Sequence, residues 1–124
     1  WAPIAYAMEI RHNPQGFYSV ARNTEGSIIG YIGWWVTEQR VATIMHIAVE
    51  KQHRGGGVGR SLLEFACNHA IECNCEPMQL QVRSKNTSAR SFYRSCGFDE
   101  ISTNRDYYTS PEDDAVFMQR SLMK

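Results

Sequence analysis

Net charge is the first thing this 124-residue sequence lacks: thirteen basic and thirteen acidic side chains cancel at pH 7. With no global field of either sign, nucleic acid and anionic membrane surfaces are not expected partners. Long apolar runs are missing too, and none nears the roughly 20 residues that span a bilayer. The opening stretch, WAPIAYAMEI, has no basic n-region, no extended apolar core and no initiator methionine, so a secretory signal is not expected. No internal repeat, low-complexity tract or linker divides the chain. A length of this order supports one hydrophobic core. Residues 1–124 therefore read as a single, N-terminally short domain located in the cytoplasm.

Metal-ligand spacing is a further absence. Cys67, His69, Cys73 and Cys75 crowd together, yet they match neither paired CxxC units nor a CxxC…HxxxH pattern. Residues 67 and 69 of one helix also point apart. No metal is expected. Reduced cysteines in a core and at a helix end suit a cytoplasmic protein.

What is present is regular patterning. Residues 3–10 read as a short helix with Pro3 in its first turn. Residues 16–22, 28–36 and 42–50 read as strands, the last apolar on both faces and therefore central. A helix follows over about 57–73, with Leu62, Leu63, Ala66 and Ala70 as its apolar stripe. Met78, Leu80 and Val82 then alternate with Gln79, Gln81 and Arg83, the period of a strand. Asn86 is placed to cap a second helix, with Ala89, Phe92, Tyr93 and Cys96 as its stripe and Gly97 at its C-terminal cap. FDEIST and AVFMQRSL read as closing strands. The order α-β-β-β-α-β-α-β-β predicts a mixed α/β fold, one sheet with helices on its faces.

Glycine is concentrated in one place. QHRGGGVGRSLL, residues 52–63, puts four glycines in the five positions 55–59, between a strand and a helix. The first N–H groups of a helix have no intrahelical partner, and the macrodipole adds partial positive charge there. Glycines let the main chain adopt φ > 0 and press against a ligand. Such a site suits a phosphate or pyrophosphate. The P-loop pattern is not met, because Arg60-Ser61 stands where Lys-Ser/Thr is required. GxGxxG is not met either, because Arg60 occupies its last position.

Arg54-x-x-Gly57-x-Gly59 fits the signature R/Q-x-x-G-x-G/A, and Asn86, Ala89, Tyr93, Gly97 and Phe98 fit N-x-x-A-x-x-x-Y-x-x-x-G-F. On these residues the chain resembles the GNAT (GCN5-related) N-acetyltransferases. RDYYTSPEDDAVFM resembles the tail of their RimI-type ribosomal-protein-alanine branch. The resemblance implies a GNAT-like fold, a single mixed and mostly antiparallel sheet with helices on both faces, with the family's first strand missing from this chain. It implies acetyl-CoA as the donor. By position, Ile47, Ala48 and Val49 would run along the pantetheine arm. Gly55, Gly56, Gly57, Val58, Gly59 and Arg60 would wrap the pyrophosphate, with Arg54 adding charge nearby. Asn86 would contact the cofactor beyond the next strand. Tyr93 would sit near the thioester sulfur, and Tyr107 and Tyr108 would help to bind the acceptor.

Direct attack of an amine on a thioester needs a deprotonated amine, a polarised carbonyl and a proton for the departing thiolate. Strand amides can polarise the carbonyl, and the Tyr93 hydroxyl can supply the proton. RimI-type enzymes carry Glu where this chain has Gln81. An amide takes up no proton, though it can hold a water or the incoming amine. Deprotonating an α-amine at pH 7 costs only about 1–1.4 kcal/mol, against roughly 4.6 kcal/mol for lysine. The missing carboxylate is therefore better tolerated with a protein N-terminus as acceptor. The expected function is transfer of acetyl from acetyl-CoA to such an α-amine. A small-molecule amine as acceptor, and a CoA-binding module with little turnover, are the alternatives.

Other polar residues are given structural roles. His46 is expected to share a strand face with Ile44 and Ala48 as a packed histidine, Glu38 to be a solvated turn carboxylate, and PEDD (111–114) a solvated acidic turn. Trp34 and Trp35 point to opposite faces of one strand, so one packs inward.

Overall fold

A computed structural model describes residues 6–13 and 16–123, with the side chains of residue 10 and residues 16–123. Seven strands and two helices follow one another as β1 (Tyr6–Asn13), β2 (Gly16–Asn23), β3 (Ile28–Val36), β4 (Ala42–Val49), α1 (Val58–Glu72), β5 (Met78–Arg83), α2 (Thr87–Ser95), β6 (Asp99–Thr109) and β7 (Glu112–Arg120). One turn of 3-10 helix, Lys51–His53, follows β4. The sheet order is β1-β2-β3-β4-β5-β7-β6. Every pairing is antiparallel except β4 with β5. The mixed, mostly antiparallel sheet is the one expected.

One element differs in kind. The helix expected over 3–10 is a strand from Tyr6 onward, paired with β2 from Tyr6↔Asn23 to Asn13↔Gly16; residues 3–5 lie outside the described residues. The sequence there also alternates, with Tyr6, Met8 and Ile10 between Ala7, Glu9 and Arg11. A helix of eight residues is marginal on its own, and pairing along a whole neighbouring strand outweighs it.

The helices also sit differently from the expectation of cover on both faces. β4-α1-β5 and β5-α2-β6 each connect parallel strands and step across the sheet in the same direction. Right-handed crossovers then place both helices on one face. A single core lies beneath them, joining Leu62, Leu63, Ala66 and Ala70 of α1, Tyr93 of α2 and Phe98 to Ile32, Trp34, Met78, Leu80, Val116 and Met118 of the sheet. Arg120 of β7 holds the two helices together. Its guanidinium donates to Glu64 of α1 at 2.7 and 3.1 Å and to the Cys96 carbonyl after α2 at 3.1 Å. Trp34 is the inward tryptophan at 1% exposure, and Trp35 stays 44% exposed. Among the described residues, the face opposite the helices carries no helical cover.

Candidate active site

The site begins where two strands part. β4 and β5 pair only at Ala42↔Met78 and Thr43↔Gln79, with a last tie from Gln79 Nε2 to Thr43 Oγ1 at 3.1 Å. Beyond it β4 continues with β3 alone: Ile32↔Ile47, Tyr31↔Ala48, Gly30↔Val49. The other backbone edge of Ile47, Ala48 and Val49 opens into the gap between the strands.

The glycine loop closes the end of that gap. Gly55 and Gly57 have φ of +81° and +87°, which side chains other than glycine adopt at a cost. Gly57 is the N-cap residue of α1, and no side chain caps that helix. Its first N–H groups thus remain for a ligand. Two guanidinium groups flank the loop. Arg54 Nε donates to the Val49 carbonyl at 3.0 Å, and Arg60 donates to the carbonyl and Oγ of Ser95 at 3.2 and 3.0 Å.

The second wall is α2. Asn86 caps it, its Oδ1 accepting from the Ala89 N–H at 3.2 Å, as its place in the sequence predicts. The loop before it is held from three directions. Ser84 N–H donates to the Asp114 carbonyl at 2.9 Å. Arg90, paired with Glu100 at 2.7 and 3.0 Å, donates to the Ser84 carbonyl at 2.7 Å. Asp113 accepts the N–H groups of Lys85 at 3.1 Å and Asp114 at 2.7 Å.

Asp113 corrects one expectation: it lies within PEDD but is buried at 8% exposure rather than solvated. Burial raises its carboxyl pKa, but the two N–H donors outweigh burial, and the net shift is downward. A lowered carboxyl contributes stability above the ordinary aspartate range and loses it as pH falls through the folded value. Asp113→Asn should therefore flatten the acid side of the stability curve. Urea midpoints at pH 7 and pH 3 check this; an unchanged difference between them would contradict it.

Between these walls lies a cleft of about 770 Å³. Of the residues singled out in the sequence, Ile47, Ala48, Val49, Arg54, Gly55, Gly57, Gly59, Arg60, Asn86 and Tyr93 line it. Gly56 does not, and Val58 turns its side chain into the core at 1% exposure. Ser88, Ala89 and Phe92 also line it and were not singled out as site residues. Helical spacing could have found Ala89, three residues from Asn86 and four from Tyr93; Ser88 and Phe92 stand at neither spacing from those two residues.

Tyr93 is 7% exposed, its ring 5.3 Å from Phe92 and 5.6 Å from Phe98. Burial pushes its phenol up to about 12, with a smaller push from Cys96. Gln81 lies across the sheet from it, exposed, on the face away from the helices. That face also holds Arg83, whose guanidinium stacks 4.1 Å over the Tyr108 ring and donates to the Pro111 carbonyl at 2.7 Å. Tyr107 meets Tyr108 edge-on at 5.1 Å and is 50% exposed. Access to the gap therefore comes from both sides of the sheet.

A strand edge, a left-handed glycine loop at an uncapped helix start and a buried phenol form one cleft. The sequence matches the model of the Acetyltransferase (GNAT) family over residues 1–98. This chain belongs to the GNAT family. It is an acyl-CoA N-acyltransferase, and acetyl-CoA is its co-substrate. It is similar to N-alpha-acetyltransferase RimI of Mycobacterium tuberculosis, at 32% identity over 97% of this chain and 75% of that protein. It is also similar in structure to the ribosomal-protein-S18-alanine N-acetyltransferase of Escherichia coli, with TM-score 0.79 and 25% identity over 91% of this chain and 73% of that one. A Bacillus anthracis protein named as a streptothricin acetyltransferase, solved in complex with acetyl coenzyme A, matches with TM-score 0.81 and 26% identity over 89% of this chain and 64% of that one.

The cleft suits such a donor on its own geometry. At Gly55 and Gly57 an added Cβ would meet no atom within 4 Å, so the space beside this backbone is open to a ligand. Among the described residues no cluster of His, Cys, Asp and Glu could hold a metal ion, and no helix is long and apolar enough to cross a membrane.

Proposed function

We propose that this GNAT enzyme acetylates the α-amine of a protein N-terminus. Gln81 carries the proposal: with an amide where the RimI-type branch has a carboxylate, the acceptor that asks least of a base is an amine of low pKa. The similarity to RimI supports the same acceptor class. The single catalytic domain is taken to span residues 1–124. Cytoplasmic location is part of the proposal, supported by four free cysteines.

Each set of residues has a task. Main-chain groups of Gly55, Gly56, Gly57, Val58, Gly59 and Arg60 hold the pyrophosphate, with Arg54 and Arg60 supplying charge. The open edge of Ile47, Ala48 and Val49 receives the pantetheine arm, and Asn86 offers its amide from the opposite wall. Acetyl-CoA supplies the activated acyl group. Strand N–H groups polarise its carbonyl, and the Tyr93 hydroxyl, kept protonated by burial, donates toward the leaving sulfur. Gln81 orients a water or the amine, and Tyr107 and Tyr108 contact the acceptor chain.

The test is thiol release from acetyl-CoA with peptides bearing a free N-terminus, peptides with only a lysine amine, and small primary amines. N-terminal peptides should be the best acceptors. If only small amines react, the acceptor class is wrong; if acetyl-CoA binds but nothing is acetylated, the chain is a binding module. Gln81→Glu should help a lysine acceptor by about tenfold and an α-amine by less, because the lysine carries the larger deprotonation cost. Equal gains on both would contradict the role given to Gln81.

A further inference from the structure

We propose that His46 takes the proton from the acceptor amine on the helix-free face, an inference that rests on the acetyl-transfer reading above. The sequence predicts a packed histidine beside Ile44. The structure corrects this. Trp34 pairs with Ile44 and Gly33 with His46, so Met45 is an extra residue in β4. A bulge of this kind breaks the alternation of faces. Ile44 stays buried at 6% exposure under the helices, while His46 is exposed on the opposite face.

The position is chemically useful. His46 immediately precedes the open edge that lines the cleft, and lies past the last pairing of β4 with β5. Its ring is fixed by packing: 5.7 Å from Tyr18 of β2 and 5.2 Å from Tyr31 of β3, centroid to centroid. Gly33 makes the room, since a Cβ there would come within 3.2 Å of His46 Nε2 and 2.9 Å of Tyr18. Among the described residues no hydrogen bond or ion pair uses its ring nitrogens. Tyr18 and Tyr31 are the titratable groups packed against it. A second cavity, of about 200 Å³, opens beside it and is lined in part by Tyr18, Trp35 and Met45, giving the acceptor's leading residue a place.

Three other carboxylates are spent or misplaced. Glu38 lies in the turn before Ala42, at the closed end of the strand pair. Glu50 is engaged by Gln52 and lies 4.0 Å from His53. Asp113 is saturated by backbone donors. In the step itself, the ammonium gives one proton to His46, and the freed nitrogen lone pair forms the C–N bond at the acetyl carbonyl carbon. The C–S bond breaks with its electron pair on sulfur. Tyr93 protonates that sulfur and regains a proton from the new amide nitrogen. One proton remains on exposed His46 and passes to solvent.

The experiment is kcat/KM against pH for wild type, His46→Gln and the double variant with Gln81→Glu, on an N-terminal peptide and a small primary amine of different pKa. Wild type should show an acid limb that stays in place when the acceptor changes, because it belongs to the enzyme and not to the amine. His46→Gln should lose that limb and about a hundredfold in kcat/KM, with acetyl-CoA affinity by calorimetry unchanged. The double variant should recover about tenfold, which a structural role for His46 does not predict. A loss below about threefold, or a retained limb, overturns the proposal. If only the small amine reacts, the N-terminal acceptor reading falls and His46 is judged on that amine. No turnover on either, with acetyl-CoA bound, overturns both.

Discussion

Replacing Gly57 with valine is expected to weaken acetyl-CoA binding by at least about a hundredfold, roughly 2.7 kcal/mol, while the chain still folds. Two effects separate at this position. The first is internal. Gly57 sits at φ +87°, and a residue with a Cβ held in a sparsely populated backbone region costs of order 1–3 kcal/mol. That is tolerable against the 5–15 kcal/mol typical of a domain. The second effect falls on the ligand. Beyond its chain neighbours, no protein atom lies within 4 Å of the added Cβ, so the branched side chain enters the open cleft where the pyrophosphate is placed. Relief of backbone strain would also swing the N–H groups of the first turn away from it. Thermal unfolding measures the first effect and calorimetry with acetyl-CoA the second. Gly57→Ala should lie between wild type and valine in both. If affinity survives in the valine variant, the pyrophosphate does not sit at this loop.

Elements with a clean period were legible in the sequence. The stripe Leu62, Leu63, Ala66 and Ala70 is fully buried, the alternation over Met78–Arg83 is a strand, and Asn86 and Gly97 terminate α2 as their chemistry predicts. Legibility failed where a partner decides. Tyr6–Asn13 is extended because β2 lies alongside it. The Met45 bulge exists because β3 and β4 register with one residue to spare, and nothing in ATIMHIAV marks which residue is extra. Asp113 looked like turn decoration because one of its two N–H donors, Lys85, is 28 residues away and reaches it only in three dimensions. The cleft was read through its loop. The parting of β4 from β5 that gives it width is set by pairing that stops after Thr43 and Gln79, a feature of two strands together rather than of either alone.

Tyr93→Phe should lower kcat by about 10²–10⁴-fold with little change in acetyl-CoA affinity. The hydroxyl makes no hydrogen bond to any described residue, although the ring is held between Phe92 and Phe98 and lines the cleft. Its removal therefore breaks no hydrogen bond to a described residue, and a large loss of rate points to the reaction itself. The pH dependence sharpens the test. Burial raises the folded-state pKa to about 12, so the phenol remains a proton donor throughout the range in which an α-amine becomes free. No alkaline limb of kcat from Tyr93 is expected below about pH 10, where an ordinary tyrosine would ionise. The same shift has a stability consequence of fixed sign. The folded state prefers the neutral phenol, so its contribution is complete below the ordinary value and is lost as pH rises through about 12. Cys67, raised to about 11 chiefly by burial, acts in the same direction at slightly lower pH. Tyr93→Phe should remove the tyrosine part of this alkaline loss and leave the cysteine part, as followed by urea midpoints across that range. A variant that keeps near-wild-type kcat while losing the alkaline stability step would assign Tyr93 to packing, and would leave the protonation of the leaving sulfur to solvent.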